Sequence, residues 1–373
     1  MIDTVLLKVA SRCNLDCTYC YVYHLGDDAW KDNPKLFSTK IIDDIEQSLF
    51  NLYQFQGKSF AIVLHGGEPF LLPKARLEYL FAKLRSRLPS FTSISIQTNG
   101  LLLNNELIDL CYKYHVTISI SLDGTETVND KMRIDHLGRG SFTRIMDSIQ
   151  LIKQHKFSKE IFTGCLAVIN PFSNPHEIYH FFKQLNIPSV NFLMRDGNHD
   201  RYPYGKANFY SLEYAKWLEQ IWIEYFNDEN PIPIAFFDNY VKMLMGGTSS
   251  KEGTGTEVSG ILIIDTNGDI TKNDTLKSTE NRADRFKFKW HVSKDNLVEL
   301  IQSDEFKEYL TLQNPTSEQC QKCEYLSICG GGMPLYRWSK ERKFDNPSVF
   351  CKDHQYIIHS ISQTLEQFYE NQS

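Results

Sequence analysis

Short apolar runs alternate with longer amphipathic stretches through the first two hundred residues of the chain. The runs are rich in Val, Ile, Leu and Phe, as expected for strands of a parallel sheet that is covered on both faces. They occupy residues 4–10, 59–65, 93–97, 116–122, 162–169 and 189–194. The pattern predicts six strands separated by helices.

The stretches between these runs carry apolar residues at helical spacing. The clearest follows Ser38, a residue type that favours the capping position, and places Ile42, Ile45 and Leu49 on one face. Helices are predicted at residues 39–54, 74–87, 105–113, 142–155 and 175–184. Strands that alternate with helices at this spacing run parallel. Six units are too few for a closed eight-stranded barrel, so we predict an α/β fold built on a partial (β/α)6 barrel.

The second half of the chain has a different organisation. A helical pattern at 212–225 is followed by a Gly-, Ser- and Thr-rich linker at 246–255. Beyond the linker, Asn267-Gly268 lies between two strand-like runs, which is typical of a β-hairpin. We therefore expect a barrel at 1–210, a helical bridge and linker at 211–259, and a smaller domain at 260–373.

Composition and charge narrow the class of protein. With 373 residues and 42 % apolar content, the chain can bury a large core. Its net charge of −6, without a basic block, argues against a nucleic-acid partner. The N-terminus resembles a strand and not a signal peptide, and no apolar stretch is long enough to span a bilayer. We expect a cytoplasmic protein without a membrane partner.

Reactive or hydrogen-bonding residues follow almost every predicted strand. In a barrel these strand ends meet at one mouth, where the active site lies. The residues are Cys13, Gly66-Gly67-Glu68, Gln97-Thr98-Asn99, Ser121 with Asp123, Asn170 and Arg195-Asp196. Their recurrence predicts a catalytic site at that mouth.

Seven of the nine cysteines fall into two clusters, which indicates metal rather than disulfides in a reducing compartment. Cys13, Cys17 and Cys20 form C-x3-C-x2-C directly after the first strand. Three thiolates can hold three irons of a [4Fe–4S] cube and leave the fourth iron open. A zinc site, with His24 as the fourth ligand, is the alternative that spacing alone leaves open.

The first cluster and its surroundings resemble the radical S-adenosylmethionine (SAM) enzymes. The resemblance rests on residues 13–20, CNLDCTYC, and on residues 65–69, HGGEP. It implies a [4Fe–4S] cluster whose open iron binds SAM, and a 5′-deoxyadenosyl radical that removes hydrogen from an unactivated carbon. Cofactor contacts are implied for Tyr19, Gly66, Gly67, Glu68, Asn99, Ser121, Arg133 and Leu193.

Cys320, Cys323, Cys329 and Cys351 form the second cluster, C-x2-C-x5-C-x21-C. Four thiolates can close a [4Fe–4S] cluster or a structural zinc site. The glycines at 330–332 and the segment 346–351 resemble the SPASM extension of peptide-modifying radical SAM enzymes, which favours iron and sulfur.

This copy of the extension departs from the usual pattern. A further cysteine is usual where Met333 stands, and Asn273 occupies the usual place of a hairpin cysteine. No cysteine occurs between Cys165 and Cys320. The resemblance therefore implies one auxiliary cluster instead of two. We expect the remaining cysteines, Cys111 and Cys165, to be core residues.

Segments 8–13, 21–23, 28–30 and 274–277 resemble the cyclophane-forming (FxsB-like) maturases. Those enzymes join an aromatic ring carbon to the β-carbon of a nearby residue in a ribosomally made precursor peptide. More distantly, the chain resembles the anaerobic sulfatase-maturing enzymes, in which a catalytic acid stands at the place of Asp274. We hypothesise that Asp274 is the catalytic base, and its alternative role is that of a turn aspartate.

The preferred interpretation is a peptide-crosslinking radical SAM oxidoreductase that takes electrons from a flavodoxin or ferredoxin. Formylglycine formation is the runner-up, and epimerisation or thioether formation is a further alternative. A structural iron–sulfur or zinc protein would be the non-enzyme interpretation. No leader-recognition domain is expected ahead of the first strand.

Overall fold

The computed structural model describes residues 1–249 and 251–371. Ser250, inside the predicted linker, and residues 372–373 lie outside the described residues. The strands are β1 (Thr4–Ala10), β2 (Ala61–Gly66), β3 (Ile94–Thr98), β4 (Val116–Ser121), β5 (Phe162–Val168), β6 (Val190–Leu193), β7 (Ile261–Ile264) and β8 (Ile270–Thr271). The six strands predicted before residue 200 are confirmed, with ends that agree within two residues.

Helices connect the strands and recur through the C-terminal part. They are α1 (Tyr21–His24), α2 (Thr39–Gln56), α3 (Lys74–Arg87), α4 (Asn105–Lys113), α5 (Glu126–Asp130), α6 (Phe142–Gln154), α7 (Ser158–Ile161), α8 (Pro175–Leu185), α9 (Glu213–Asn227), α10 (Ala235–Leu244), α11 (Leu297–Gln302), α12 (Asp304–Thr311), α13 (Glu318–Gln321), α14 (Leu326–Cys329), α15 (Pro334–Arg337) and α16 (Cys351–Glu370). Short 3₁₀ helices span Ala29–Lys31, Pro69–Leu71 and Asp274–Ser278.

The ends of α2 show why these segments become helices where they do. The Ser38 hydroxyl accepts a hydrogen bond from the Ile41 amide at 3.2 Å, which satisfies one of the free donors of the first turn. At the other end, Gly57 adopts the left-handed conformation that terminates many helices. The buried positions Ile42, Ile45 and Leu49 are the predicted apolar face.

The chain divides into two compact units. The first comprises Met1–Leu122, Asn129–Cys165 and Gly260–Tyr309, and the second comprises Asp123–Val128, Leu166–Ser259 and Leu310–Ser373, of which residues up to 371 are described. Strand β5 is divided between the units. The three domains expected from the sequence, at 1–210, 211–259 and 260–373, stay a prediction.

The first unit is built on a largely parallel sheet with β1 at its centre. Strand β1 pairs in parallel with β2 on one side and with β7 on the other, so Leu6 lies opposite both Val63 and Ile263. The β2–β3 and β3–β4 pairs are also parallel, whereas β7 and β8 form the predicted antiparallel hairpin. The α/β class is thus confirmed, and the hairpin extends the sheet.

In the second unit, the end of β5 lies beside β6, and the Ile169 amide donates to the Leu193 carbonyl. Helix α9 packs against α8 and α16, and α10 packs against α16. Across the described residues, no helix is both long and apolar enough to cross a membrane.

Candidate functional site

Cys13, Cys17 and Cys20 lie together in the loop that joins β1 to α1. All three side chains are half-buried. Burial raises the pKa of Cys13 to about 12. The charges of Glu68, Cys17 and Cys20 raise it further, because these groups lie close to the Cys13 sulfur. Three convergent thiols form the donor set that a [4Fe–4S] cluster with one open iron requires.

The backbone of this loop is held by the rest of the first unit. Its amides at Asp16 and Thr18 donate to the carbonyls of Ile134 and Met132 at 2.7 and 2.9 Å. The Arg12 guanidinium, just before Cys13, donates to the Trp30 carbonyl and lies over the Trp30 ring at 4.9 Å. The cysteines are therefore presented by a fixed loop.

Gly66 and Gly67 bring the end of β2 against this loop. The Gly67 amide donates to the Ala10 carbonyl at 2.8 Å, and Gly66 has a φ of +134°. A Cβ on Gly66 would lie 2.2 Å from the Ala10 oxygen, and one on Gly67 would lie 2.1 Å from the Arg12 oxygen. Close backbone packing thus requires both glycines. Their predicted contact with SAM stays a prediction.

Glu68 ties the ends of β2 and β3 together. Its buried carboxylate accepts from the Thr98 hydroxyl at 2.6 Å and from the amides of Asn99 and Phe70 at 2.9 and 3.0 Å. Burial raises the pKa of Glu68, although these hydrogen bonds oppose the shift. The Asn99 side chain in turn donates to Asn14 at 2.7 Å, beside Cys13. Both residues position the cysteine loop, and their contacts with a cofactor stay predictions.

Arg133 is a buried cation next to the cysteine loop. Its guanidinium donates to the Tyr19 hydroxyl at 2.7 Å, and its charge lowers the pKa of both Cys20 and Glu68, against the raising effect of burial. Arg133 thus lies beside the cysteine loop, as a partner for the SAM carboxylate would. Ser121 accepts from Gln97 at 2.9 Å at the end of β4.

Leu193, the remaining predicted contact, is half-buried at the end of β6 in the second unit.

Asp274 opens the 3₁₀ helix that follows β8, and it is buried in the first unit. Its carboxylate lies 2.6 Å from Lys8 Nζ and accepts from the Tyr21 hydroxyl at 3.0 Å. Burial opposes ionisation, but the charges of Lys8, His65 and Lys277 outweigh it and lower the pKa of Asp274 to about 2. The side chain is thus a paired carboxylate and not a simple turn residue.

Sequence reasoning did not assign roles to Lys8, His65 and Tyr21. Lys8 and His65 lie opposite each other on the paired strands β1 and β2, and Tyr21 directly follows Cys20. The sequence does contain one indication of this pair. Lys8 lies inside an otherwise apolar strand, and a buried lysine requires a counter-charge. The partner is 266 positions away and no local pattern identifies it.

Cys320, Cys323, Cys329 and Cys351 all line one small pocket in the second unit. Burial raises the pKa of Cys329 to about 12, and the charges of the other three thiols add to it. Four thiols around one space are the donor set of a closed [4Fe–4S] or zinc site. The auxiliary cluster therefore fits these residues.

Amide side chains approach two of these sulfurs. Gln319 Nε2 lies 3.4 Å from Cys351 Sγ, and Gln355 Nε2 lies 3.6 Å from Cys323 Sγ. Met333, where the resemblance would place a further cysteine, directly precedes α15. Asn273, at the usual place of a hairpin cysteine, accepts from the Thr275 amide at 3.0 Å. Cys111 and Cys165 are buried, as predicted for core residues.

Comparison with known proteins defines the class. Residues 7–185 match the model of the radical SAM superfamily. The chain therefore contains a radical SAM domain and is an enzyme, and this domain implies a [4Fe–4S] cluster and SAM as cofactors.

Particular relatives extend over nearly the whole chain. The cysteine-type anaerobic sulfatase-maturating enzyme of Clostridium perfringens is 25 % identical over 366 residues, 94 % of each chain. The serine-type enzyme of Bacteroides thetaiotaomicron is 24 % identical over 95 % of this chain and 88 % of its own.

Solved structures share the fold. The structure of anSMEcpe with bound AdoMet has a TM-score of 0.83 at 21 % identity, with full coverage of both chains. Streptococcus suis SuiB bound to precursor peptide SuiA has a TM-score of 0.64 at 15 % identity, with 94 % of this chain and 76 % of SuiB covered. The radical SAM fold, with its partial barrel, is thereby confirmed.

Proposed function

We propose that the chain is a radical SAM enzyme that modifies a ribosomally made precursor peptide by a carbon–carbon cross-link from an aromatic ring to the β-carbon of a nearby residue. A macromolecular substrate is supported by the sulfatase-maturating relatives, which align over almost the whole chain. The observation that carries the proposal is the buried, ionised Asp274 in the same unit as the three-cysteine loop.

In this proposal, Cys13, Cys17 and Cys20 hold the [4Fe–4S] cluster. Together with SAM, such a cluster would supply the 5′-deoxyadenosyl radical chemistry that removes a hydrogen atom from the substrate. Arg133 pairs with the SAM carboxylate, since a guanidinium fork matches that group. Tyr19, Ser121, Gly66 and Gly67 complete the part of the SAM site that lies in the first unit, and the adenine contact of Leu193 stays a prediction. Glu68 and Asn99 hold the strand ends in place.

Forming the new bond removes two hydrogens from the peptide. One leaves as an atom, and the other leaves the ring as a proton together with one electron. Asp274 accepts this proton, because Lys8 keeps the carboxylate ionised even though it is buried. Because a base must lie within hydrogen-bond reach of the proton that it takes, the proposal requires the peptide's aromatic ring to bind next to Asp274.

The remaining electron needs an acceptor, which the four-cysteine site would hold as an auxiliary [4Fe–4S] cluster. Cys323 borders a groove on the second unit whose lining includes Lys322, Lys352 and Gln355. An electron carrier such as a ferredoxin or flavodoxin can approach the cluster from this groove. The same kind of carrier would supply the electron that initiates each turnover.

The test is anaerobic turnover of the Asp274→Asn variant with the cognate peptide, followed by mass spectrometry. Asparagine keeps the shape and removes the basicity, so 5′-deoxyadenosine should form while the peptide product lacking two hydrogens is lost. Asp228→Asn is the matched control, because Asp228 also pairs with a lysine, Lys183, and accepts from a tyrosine hydroxyl, that of Tyr179, but belongs to the second unit. Full product formation by Asp274→Asn would refute the role of Asp274 as the base.

Formylglycine formation is the second candidate, and the names of the relatives favour it. The two reactions give distinguishable products, because formylglycine carries an aldehyde and a cross-link does not. Product that reacts with a hydrazide probe would replace the cross-linking proposal with this one. Product that is inert to the probe and yields cross-linked fragments would support the proposal.

A further inference from the structure

Helices α8 and α9 bring two histidines and a glutamate together. His176 and His180 lie four residues apart on α8, a spacing that places both side chains on one face of the helix. Glu224 lies on α9, which packs against α8 within the second unit. The radical SAM chemistry described above uses none of these three residues.

The three side chains converge on one point. Glu224 Oε1 lies 2.5 Å from His176 Nδ1, and Glu224 Oε2 lies 3.3 Å from His180 Nε2. The two imidazole rings are 4.2 Å apart between centroids. The donor atoms all lie within 4.8 Å of one another, so small side-chain rotations bring them around a single ion.

The charge of the group favours a cation. In residues 1–249 and 251–371, the ion-pair partners of Glu224 are these two imidazoles, and no lysine or arginine pairs with it. Lys183, one turn beyond His180, pairs instead with Asp228. A carboxylate with two neutral imidazoles carries a net charge of −1, and the neutral imidazole is the form that binds metal.

We propose that His176, His180 and Glu224 bind a divalent transition metal ion and that zinc is the ion they suit best. Two imidazole nitrogens with one carboxylate oxygen form a donor set that zinc accepts, with a fourth position left for water. The metal joins α8 to α9 and stabilises the second unit. Because His176 and His180 are partly exposed, the ion enters directly from solvent.

The test is anaerobic calorimetric titration of the cluster-loaded chain with zinc sulfate in a buffer that does not chelate zinc. The absorbance of the iron–sulfur clusters is followed to show that no cysteine is released to bind zinc. The wild-type chain should take up one zinc, and zinc should raise its unfolding temperature. Removing a residue that only orients a metal ligand typically lowers metal affinity roughly 10–100-fold. The His176→Ala/His180→Ala variant, which removes two of the ligands themselves, should lose at least as much zinc affinity.

Glu224→Gln should also weaken zinc binding, because it removes the charge and keeps the shape. His359→Ala is the matched control, since His359 is an exposed histidine of the same unit that contacts the Tyr325 hydroxyl. It should leave both the affinity and the thermal shift unchanged. Equal zinc affinity in the double-histidine variant, or no uptake by the wild-type chain at millimolar zinc, would overturn the proposal.

Discussion

The two cysteine sites are built from different local structure. The first is one short loop between β1 and α1, in which three thiols fall within eight residues. The second collects four thiols from α13, the turn after it, the end of α14 and the start of α16. Three protein ligands leave one coordination position open for a substrate or cofactor, as at the first site. Four protein ligands, as at the second site, leave none. This difference supports the proposal that the first site serves SAM chemistry and that the second serves electron transfer or structure.

The largest effect is expected when one ligand is removed from the four-cysteine site. Two [4Fe–4S] clusters correspond to about eight irons per chain. Cys351→Ala should reduce the iron content to about four, while 5′-deoxyadenosine is still formed. Cys111→Ala, a change at a buried cysteine outside both sites, is the control and should keep full iron. A wild-type content near twelve irons would show that a third cluster has found other ligands.

Lys8→Met tests how the first unit keeps its base ionised. The pKa of Asp274 is depressed to about 2, so the carboxylate stays charged throughout the working pH range. Without Lys8, burial would dominate and raise the pKa of Asp274. Cross-linking by Lys8→Met should then be weak at pH 6 and recover as the pH rises toward 8, with SAM cleavage less affected. A flat pH profile in this variant would show that Lys8 does not control the proton acceptor.

The Lys8–Asp274 ion pair should also make the folding stability of the chain depend on pH. A depressed carboxyl pKa contributes stability above the unfolded value of about 3.9, and this contribution is lost as the pH falls through the folded value. Lys8→Met should therefore destabilise the chain at neutral pH and lose this penalty near pH 2. Unfolding midpoints across that range measure the difference.

Arg133→Ala sharpens the assignment of the open site to SAM, with a smaller effect. A hydrogen bond to a charged group contributes about 2 kcal/mol to binding. Its loss in Arg133→Ala should therefore increase the dissociation constant of SAM roughly thirtyfold. Turnover at saturating SAM should change less than this. Arg139→Ala is the matched control and should leave SAM affinity unchanged, because Arg139 is an exposed arginine nearby in the chain that pairs with Asp135. Unchanged SAM affinity in Arg133→Ala would assign Arg133 a structural role.

Local sequence patterns predicted the strands of the barrel and the two sets of cysteines. Cys13, Cys17 and Cys20 lie within one loop, so their spacing alone indicates that they meet. The Lys8–Asp274 pair could not be predicted, because it joins β1 to a segment beyond β8 and depends on the pairing of β7 with β1. The same holds for Glu68, whose partners on β3 become neighbours when the strands align.

The central claim is that SAM is cleaved at the three-cysteine loop and nowhere else. The most direct measurement is electron paramagnetic resonance of the reduced chain with and without SAM, combined with an assay of 5′-deoxyadenosine. SAM should alter the signal in the wild-type chain and in the variant with Cys320, Cys323, Cys329 and Cys351 changed to Ala. The Cys13→Ala/Cys17→Ala/Cys20→Ala variant should keep the auxiliary signal, show no response to SAM and form no 5′-deoxyadenosine. SAM cleavage by that triple variant would contradict the account.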